Sequence, residues 1–169
     1  THSTSSAASD VYKRQGRTEN NDEAIILLNE SAEKYQRETE IKSDSYWAFY
    51  NLGDVLEKIA RKKDDDVEAI YYLNEAVKKY QNVIAIKADE SEIFIDLGNV
   101  LLQLIQRSSE PYKKQYIEKA FETLLKAKEL NPDDLYNLAC LYSVTEEFEN
   151  AQENLLHCEK AGTLPSRKH

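Results

Sequence analysis

A stretch of the chain is repeated 45 positions later, and this repeat constrains the fold more than any other feature. The first copy, Asn29–Leu56, reads NESAEKYQRETEIKSDSYWAFYNLGDVL, and the second, Asn74–Leu101, reads NEAVKKYQNVIAIKADESEIFIDLGNVL. The identical residues include Tyr35 and Tyr80, Phe49 and Phe94, and Leu52-Gly53 and Leu97-Gly98, together with Ile41, Val55 and Leu56 and their counterparts Ile86, Val100 and Leu101. A period of this length indicates stacked structural repeats rather than a globule around one central core.

The composition of the chain favours helices and argues against several classes of partner. Of its 169 residues only four are glycine and three are proline, and the net charge is −9. Nucleic acids and anionic membranes attract clustered Lys and Arg, so this charge argues against both and favours basic partners. Two cysteines, Cys140 and Cys158, make neither a disulfide framework nor a zinc motif. No apolar run reaches the roughly 20 residues that a membrane-spanning helix needs.

Residues 1–20 form a polar lead segment for which we predict flexibility. The segment lacks the apolar region of a signal peptide, and its portion AASDVYKRQ resembles a non-native leader left by sequence assembly. Because the sequence contains no methionine, we also expect that the natural N-terminus is missing. The expected organisation is a helical array over 21–163 followed by a tail at 164–169, in a cytoplasmic protein.

Hydrophobic periodicity predicts seven helices with short connections, and no strand pattern competes with them. In the second helix, for example, Phe49, Leu52, Leu56 and Ile59 recur at helical spacing. The predicted helices cover about 22–41, 45–61, 66–87, 91–106, 110–130, 133–144 and 146–160.

Several residues signal where these helices begin and end. Asp65 and Glu68 have capping-box spacing for the third helix, although Asp66 could cap instead. Asn131–Asp134, with proline at its second position, predicts the start of the sixth helix, and Thr145 the start of the seventh. Gly162 is expected just beyond the end of the last helix.

The first helix begins with an apolar run that has no polar face: Ala24, Ile25, Ile26, Leu27 and Leu28. A helix that is apolar all round usually has neighbours on several sides. A preceding helix could cover this run, or the run could be a frayed helix start.

The helix pairs resemble the tetratricopeptide repeat over about residues 22–161. That motif places a large residue, Leu-Gly and another large residue on its helix A, and small and aromatic residues followed by proline on its helix B. Matching residues on helix A are Phe49, Leu52-Gly53 and Leu56, and Phe94, Leu97-Gly98 and Leu101. Matching residues on helix B are Ala76 and Tyr80, and then Ala120, Leu124, Ala127 and Pro132. The resemblance implies an all-α, right-handed superhelix in which Gly53, Gly98 and Ala76 allow close helix approach.

The sequence departs from the usual repeat in two places. The spacing from Gly53 to Ala76 exceeds the family's by 11 residues, so we expect longer helices with a displaced loop. The segment Asp133–Tyr142 has three residues fewer before Leu138-Ala139 than the earlier units have before Leu-Gly. Its phrase YNLAC at Tyr136–Cys140 resembles the closing unit of some bacterial arrays of this family.

The resemblance implies that the A helices line a concave groove suited to an extended peptide. By the spacing of the motif, the groove residues are Trp47, Tyr50, Asn51, Asp54, Glu92, Ile95, Asp96, Asn99, Tyr136, Asn137 and Cys140. Amides bond a peptide backbone and aromatic rings cover its side chains. The same residues could also be an ordinary solvated surface, and Trp47 could pack on the preceding unit.

The chaperone-binding members of the family hold a C-terminal carboxylate with Lys, Arg and Asn. The corresponding places here are held by Tyr50, Asp54, Asp96 and Asn137, so that ligand is disfavoured because carboxylates repel each other. Catalysis also lacks support, because His157 has no paired ligand at helical spacing and His2 and His169 lie in the tails. Cys140 and Cys158 have no evident basic partner. We expect no cofactor, no metal and no enzymatic activity.

Three functional hypotheses follow from the sequence. The first is a non-catalytic scaffold that binds a peptide or a partner domain in the groove. The second is an assembly module in which Ala24–Leu28 drives self-association. The third is the regulatory part of a larger protein whose N-terminal region is missing.

Overall fold

The computed structural model describes the backbone of residues 3–20 and the complete residues 21–133 and 135–165. Within these ranges the chain forms seven α-helices and no strand. In chain order they are α1 (Ser3–Ile41), α2 (Tyr46–Arg61), α3 (Asp66–Ile86), α4 (Ser91–Arg107), α5 (Tyr112–Leu130), α6 (Tyr136–Val144) and α7 (Phe148–Ala161). The prediction of an all-α array is confirmed.

The first helix begins at Ser3, so the predicted start near residue 22 is wrong. Residues 3–21 contain no proline and a single glycine, Gly16, and include good helix formers such as Ala, Gln, Lys and Arg. Without a proline, this segment can continue the helix of residues 22–41 back to Ser3. The non-native origin of this segment stays a prediction.

Each helix packs against its neighbour in sequence, and α4 also contacts α6. Short connections reverse the chain between successive helices, which produces a layered row of antiparallel helices. The largest fully buried side chains of α3 and α4 are Leu73, Tyr80, Val83, Ile93, Val100, Leu101, Leu104 and Ile105. The middle two helices of the array therefore contribute most of its largest fully buried side chains.

The repeated glycines lie where two helices approach closely. A Cβ atom at Gly53 would lie 3.1 Å from the ring of Tyr80, and one at Gly98 would lie 2.2 Å from a methyl group of Leu124. The side chains of α3 and α5 thus occupy the space that a larger residue on α2 or α4 would need. The prediction that these glycines permit close helix contacts is confirmed.

Two of the predicted helix boundaries are confirmed in detail. Asp65 caps α3, since its carboxylate accepts a hydrogen bond from the backbone N–H of Glu68 at 2.9 Å. Gly162 follows α7 in the left-handed conformation (φ = 72°), and Thr163 N–H donates to the carbonyl of Cys158 at 2.9 Å. This is the usual helix ending that glycine permits.

Two predicted helix starts are wrong by two or three residues. Asn131 closes a turn instead of capping α6, because its side-chain oxygen accepts from the N–H of Asp133 at 3.3 Å. The buried Leu135 then donates its N–H to Cys158 Sγ at 3.2 Å, and α6 begins only after it. Asp134 lies outside the described residues.

Thr145 ends α6 instead of capping α7. Its hydroxyl lies 3.2 Å from the carbonyls of Leu141 and Tyr142, so it serves the preceding helix. Glu146 then adopts a left-handed backbone (φ = 65°), and α7 begins at Phe148.

The apolar run in α1 is only partly covered by the rest of the array. Ile26 and Leu27 are each 58 % exposed, whereas Ala24, Ile25 and Leu28 are half-buried. Among the helices described, none is both long enough and apolar enough to cross a bilayer.

Candidate functional site

The helices α2, α4 and α6 share one face, and side chains connect them directly. Tyr50 Oη on α2 donates to Asp96 Oδ2 on α4 at 2.7 Å. Gln103 on α4 donates its amide to Glu57 Oε1 on α2 at 2.7 Å. Asn137 on α6 donates to the backbone carbonyl of α4 at Ile95, at 3.4 Å. Side-chain hydrogen bonds thus connect these three helices along a single surface, the α2–α4–α6 face.

One end of this face holds a cavity of about 530 Å³, here called the aromatic–acidic cavity. Its walls come from the start of α2, the start of α4 and the end of α5. The lining residues are Tyr46, Trp47, Tyr50, Asp89, Glu90, Ser91, Glu92 and Leu130. Three aromatic rings therefore lie beside three carboxylates, a combination that suits a cationic ligand.

The three aromatic rings of the cavity contact each other. The rings of Tyr46 and Tyr50 are nearly parallel, with centroids 6.2 Å apart. Trp47 meets both rings edge-on, at 5.0 Å from Tyr46 and 6.2 Å from Tyr50. Trp47 is nevertheless 67 % exposed, so its indole belongs to the surface of this face rather than to the core.

A lysine of the chain already lies at the edge of this cavity. The ammonium group of Lys87 is 5.5 Å from the centroid of the Tyr46 ring and is paired with Glu90. Tyr46 Oη donates to the same carboxylate at 2.6 Å. Burial and this hydrogen bond raise the pKa of Tyr46 to about 12. The pKa of Glu90 is lowered, mainly by its hydrogen bond with the Lys87 ammonium and to a smaller extent by that with Tyr46.

Asp96 is the carboxylate most affected by its surroundings. Burial raises the pKa of Asp96 to about 6, and the charges of Glu57, Glu92 and Asp54 act in the same direction. The hydrogen bond from Tyr50 opposes this effect but does not overcome it. Burial beside Asp96 also raises the pKa of Tyr50, which therefore remains a hydrogen-bond donor at neutral pH.

The other end of the face holds a cavity of about 360 Å³, here called the amide cavity. Its residues come from α2, α4 and α6, and side-chain amides predominate among its polar groups. The lining residues are Arg61, Asn99, Leu102, Gln103, Gln106, Tyr136, Asn137, Cys140 and Val144. Amides both donate and accept hydrogen bonds, as the backbone of an extended peptide requires.

Seven of the eleven groove residues expected from the sequence line one of the two cavities. Trp47, Tyr50 and Glu92 line the aromatic–acidic cavity, and Asn99, Tyr136, Asn137 and Cys140 line the amide cavity. Asp96 joins α4 to α2, and Ile95 contributes its carbonyl to Asn137. Asn51 is half-buried and lines neither cavity, and Asp54 is paired with Lys58 at 2.6 Å.

Sequence reasoning missed other residues of this face. Tyr46 and Glu90 help form the aromatic–acidic cavity, and Gln103 contributes to the amide cavity and bonds to Glu57. The spacing of the sequence could have identified two of these residues, because residues four apart lie on the same face of a helix. Tyr46 precedes Tyr50 by four residues, and Gln103 follows Asn99 by four. Extending the groove stripe by one turn in each direction would have found both.

The thiol of Cys140 lies on α6, and the imidazole of His157 lies on α7. Burial raises the pKa of the half-buried Cys140 thiol, which makes the thiolate less available at neutral pH. His157 Nε2 lies 3.4 Å from Asp133 Oδ1, and both side chains are exposed. His2 and His169 lie outside the described residues. In the described part of the chain, no group of three or more His, Cys, Asp or Glu side chains is arranged to hold a metal ion.

No protein-family model matches the sequence, and no curated protein is significantly similar to it.

Proposed function

We propose that the chain is a tetratricopeptide-type array that acts as a non-catalytic scaffold. Three features support the assignment of this repeat: the 45-residue period, the helix pairs, and the glycines at the close contacts of α2 with α3 and of α4 with α5. The long helices and the short closing pair, α6 and α7, follow the departures noted in the sequence.

We further propose that the α2–α4–α6 face binds an extended, basic segment of a partner protein. The observation that carries this proposal is the chemistry of one continuous face, with aromatic rings and carboxylates at one end and amides at the other. The amides would bond the backbone of the segment, and the carboxylates would attract its cationic side chains.

The balance of charge on this face favours a basic ligand over an acidic one. Asp96 has an elevated pKa in part because Glu57, Glu92 and Asp54 repel its charge. A bound cation would relieve this repulsion, whereas a bound carboxylate would increase it. The chaperone-type carboxylate ligand therefore remains disfavoured.

Fluorescence of Trp47 provides a direct test, since it is the only tryptophan of the chain and lies in the aromatic–acidic cavity. The probes are an alternating Lys–Ala peptide long enough to cross three helices and the matching Glu–Ala peptide. We expect saturable binding of the basic peptide only, with an affinity that falls as salt increases.

Charge variants then locate the binding surface. The double variant Glu92→Gln/Asp96→Asn should weaken binding of the basic peptide by about 5- to 30-fold, because it removes one exposed and one partly buried charge from this face. The matched control is Glu149→Gln/Glu153→Gln, which removes the same charge from the exposed surface of α7. Equal losses for both variants would refute the assignment to the α2–α4–α6 face.

A second candidate function is assembly through α1, and the exposure of Ile26 and Leu27 favours it. Adjacent exposed aliphatic residues at the end of an array favour contact with another apolar surface. Light scattering should then show self-association that Ile26→Glu abolishes and Val67→Glu, at an even more exposed position on α3, does not. A strict monomer at high concentration would rule this function out.

A further inference from the structure

The chain provides its own example of a cation at the edge of the aromatic–acidic cavity. Lys87, at the C-terminal cap of α3, extends across the Tyr46 ring, and its ammonium group pairs with Glu90. An aromatic face and a carboxylate together thus hold a primary ammonium at this place. Attraction of an ammonium to an aromatic face strengthens as water is excluded.

The same cavity has further groups of the same kind that Lys87 does not use. Trp47 and Tyr50 present two more rings, and Glu92 adds a carboxylate at the same rim. Among the described residues, the cation–aromatic contacts involve only Tyr46 and Tyr72, so neither of these two rings faces a cation of the chain. Tryptophan is the ring that attracts cations most strongly, and Trp47 is largely exposed to an incoming group.

We infer that the aromatic–acidic cavity is a recognition pocket for a lysine side chain of the partner, and that Lys87 competes for it from within the chain. This inference rests on the proposed function and specifies the side chain that the face selects. The choice of lysine follows from Lys87 itself, because it is an ammonium group that the rings and Glu90 hold. An unbranched stem can also lie along the rings while its charge reaches the carboxylates.

The first experiment compares peptides that differ at one side chain. The probes are fluorescein-labelled Gly–Ser peptides with flanking lysines and a central lysine, norleucine or Nε-acetyl-lysine. Norleucine keeps most of the stem without the charge, and acetylation removes the charge while keeping the length. We expect both replacements to weaken binding by about 2- to 30-fold, the range of one cation–aromatic contact.

Variants of the protein assign this effect to the pocket. Trp47→Leu should reduce the preference for central lysine over norleucine to near unity, while Trp47→Phe should retain most of it. Lys87→Gln removes the internal competitor and should tighten binding of the central-lysine peptide, whereas Lys87→Arg should leave it near the wild-type value. Helical circular dichroism equal to wild type verifies that each variant is folded.

Nuclear magnetic resonance gives a readout that a purely structural role would not affect. Protons above an aromatic ring are shifted upfield, so the εCH₂ signal of a ¹³C-labelled central lysine should move upfield on binding and return in Trp47→Leu. Binding of basic peptides without any preference for central lysine would overturn this inference and leave the proposed function intact. Absence of binding by every basic peptide would overturn both.

Discussion

Asp96 lies between α2 and α4, and its ionisation costs free energy in the folded chain. Its carboxylate accepts a hydrogen bond from Tyr50, but the charge is partly removed from water and faces other carboxylates. Folding therefore raises its pKa from 3.8 to about 6. A group with a raised carboxyl pKa stabilises the fold fully below its unfolded pKa, and this contribution is lost as the pH rises through the folded pKa.

Asp96→Asn should remove this pH dependence. The two pKa values correspond to about 3 kcal/mol, which solvent screening at this part-exposed group reduces to about 1–2 kcal/mol. Relative to wild type, the free energy of unfolding of the variant should therefore rise by about 1–2 kcal/mol between about pH 4 and pH 7.5. Urea denaturation at both pH values measures this difference.

Tyr50→Phe provides the complementary control for Asp96. Without the hydroxyl donor, the carboxylate of Asp96 loses the hydrogen bond that lowers its pKa. The upper end of the pH range over which the free energy of unfolding falls should therefore move to higher pH. If the free energy of unfolding changes with pH by the same amount in wild type and Asp96→Asn, the ionisation assigned to Asp96 is contradicted.

Gly98 shows how one residue sets the distance between two helices. Its position leaves no room for a methyl group, since a Cβ atom would lie 2.2 Å from Leu124 on α5. Gly98→Ala should lower the free energy of unfolding by about 1–3 kcal/mol through overpacking, despite the better helix propensity of alanine. Gly53→Ala should cost less, because the contacts at Tyr80 begin at 3.1 Å. Leu124→Val in the Gly98→Ala background should recover part of the loss in urea denaturation; a neutral Gly98→Ala would contradict this packing.

At the scale of elements, the sequence predicted helices well where apolar periodicity meets a strong cap. The bounds of α2 to α5 differ from expectation by at most two residues, and Asp65 caps α3 as its spacing to Glu68 indicated. The starts of α6 and α7 were missed, because Asn131 and Thr145 have side chains that bond equally well to a turn or to a preceding helix. Tertiary contacts, such as that of Leu135 with Cys158, decided between these alternatives.

The connection between α6 and α7 offers a prediction about backbone strain. Glu146 has φ = 65°, a conformation that costs a side-chain-bearing residue about 1 kcal/mol but that glycine adopts freely. Glu146→Gly should therefore raise the free energy of unfolding by about 0.5–1 kcal/mol, measured by urea denaturation. Gly162→Ala is the converse control at φ = 72°, where an added Cβ meets no atom within 4 Å, and it should lower stability by about 1 kcal/mol. A lower free energy of unfolding for Glu146→Gly together with a higher one for Gly162→Ala would contradict the left-handed conformations.

At the scale of the whole molecule, the repeat pattern predicted which residues share the α2–α4–α6 face but not the contacts within it. The groove positions taken from the resemblance to the tetratricopeptide motif included both Tyr50 and Asp96, and these two side chains are hydrogen-bonded to each other. The pairs of Tyr46 with Glu90 and of Gln103 with Glu57 were not predicted. Such pairs depend on how far successive helix pairs rotate relative to each other, which the repeat of a sequence does not encode directly.

Stability along the array should vary with the number of neighbours that each helix has. The largest fully buried side chains concentrate on α3 and α4, so amide hydrogen exchange should be slowest there and faster in α1 and α7. Ala151→Gly in α7, a loss of about 1 kcal/mol in helix propensity, should increase exchange in α6 and α7 while leaving α2 and α3 unchanged. Ala69→Gly in α3 is the matched control and should increase exchange across α2 to α4. This local response follows because each unit of a linear array contacts only adjacent units. A uniform increase in exchange in both variants would instead indicate one cooperative folding unit.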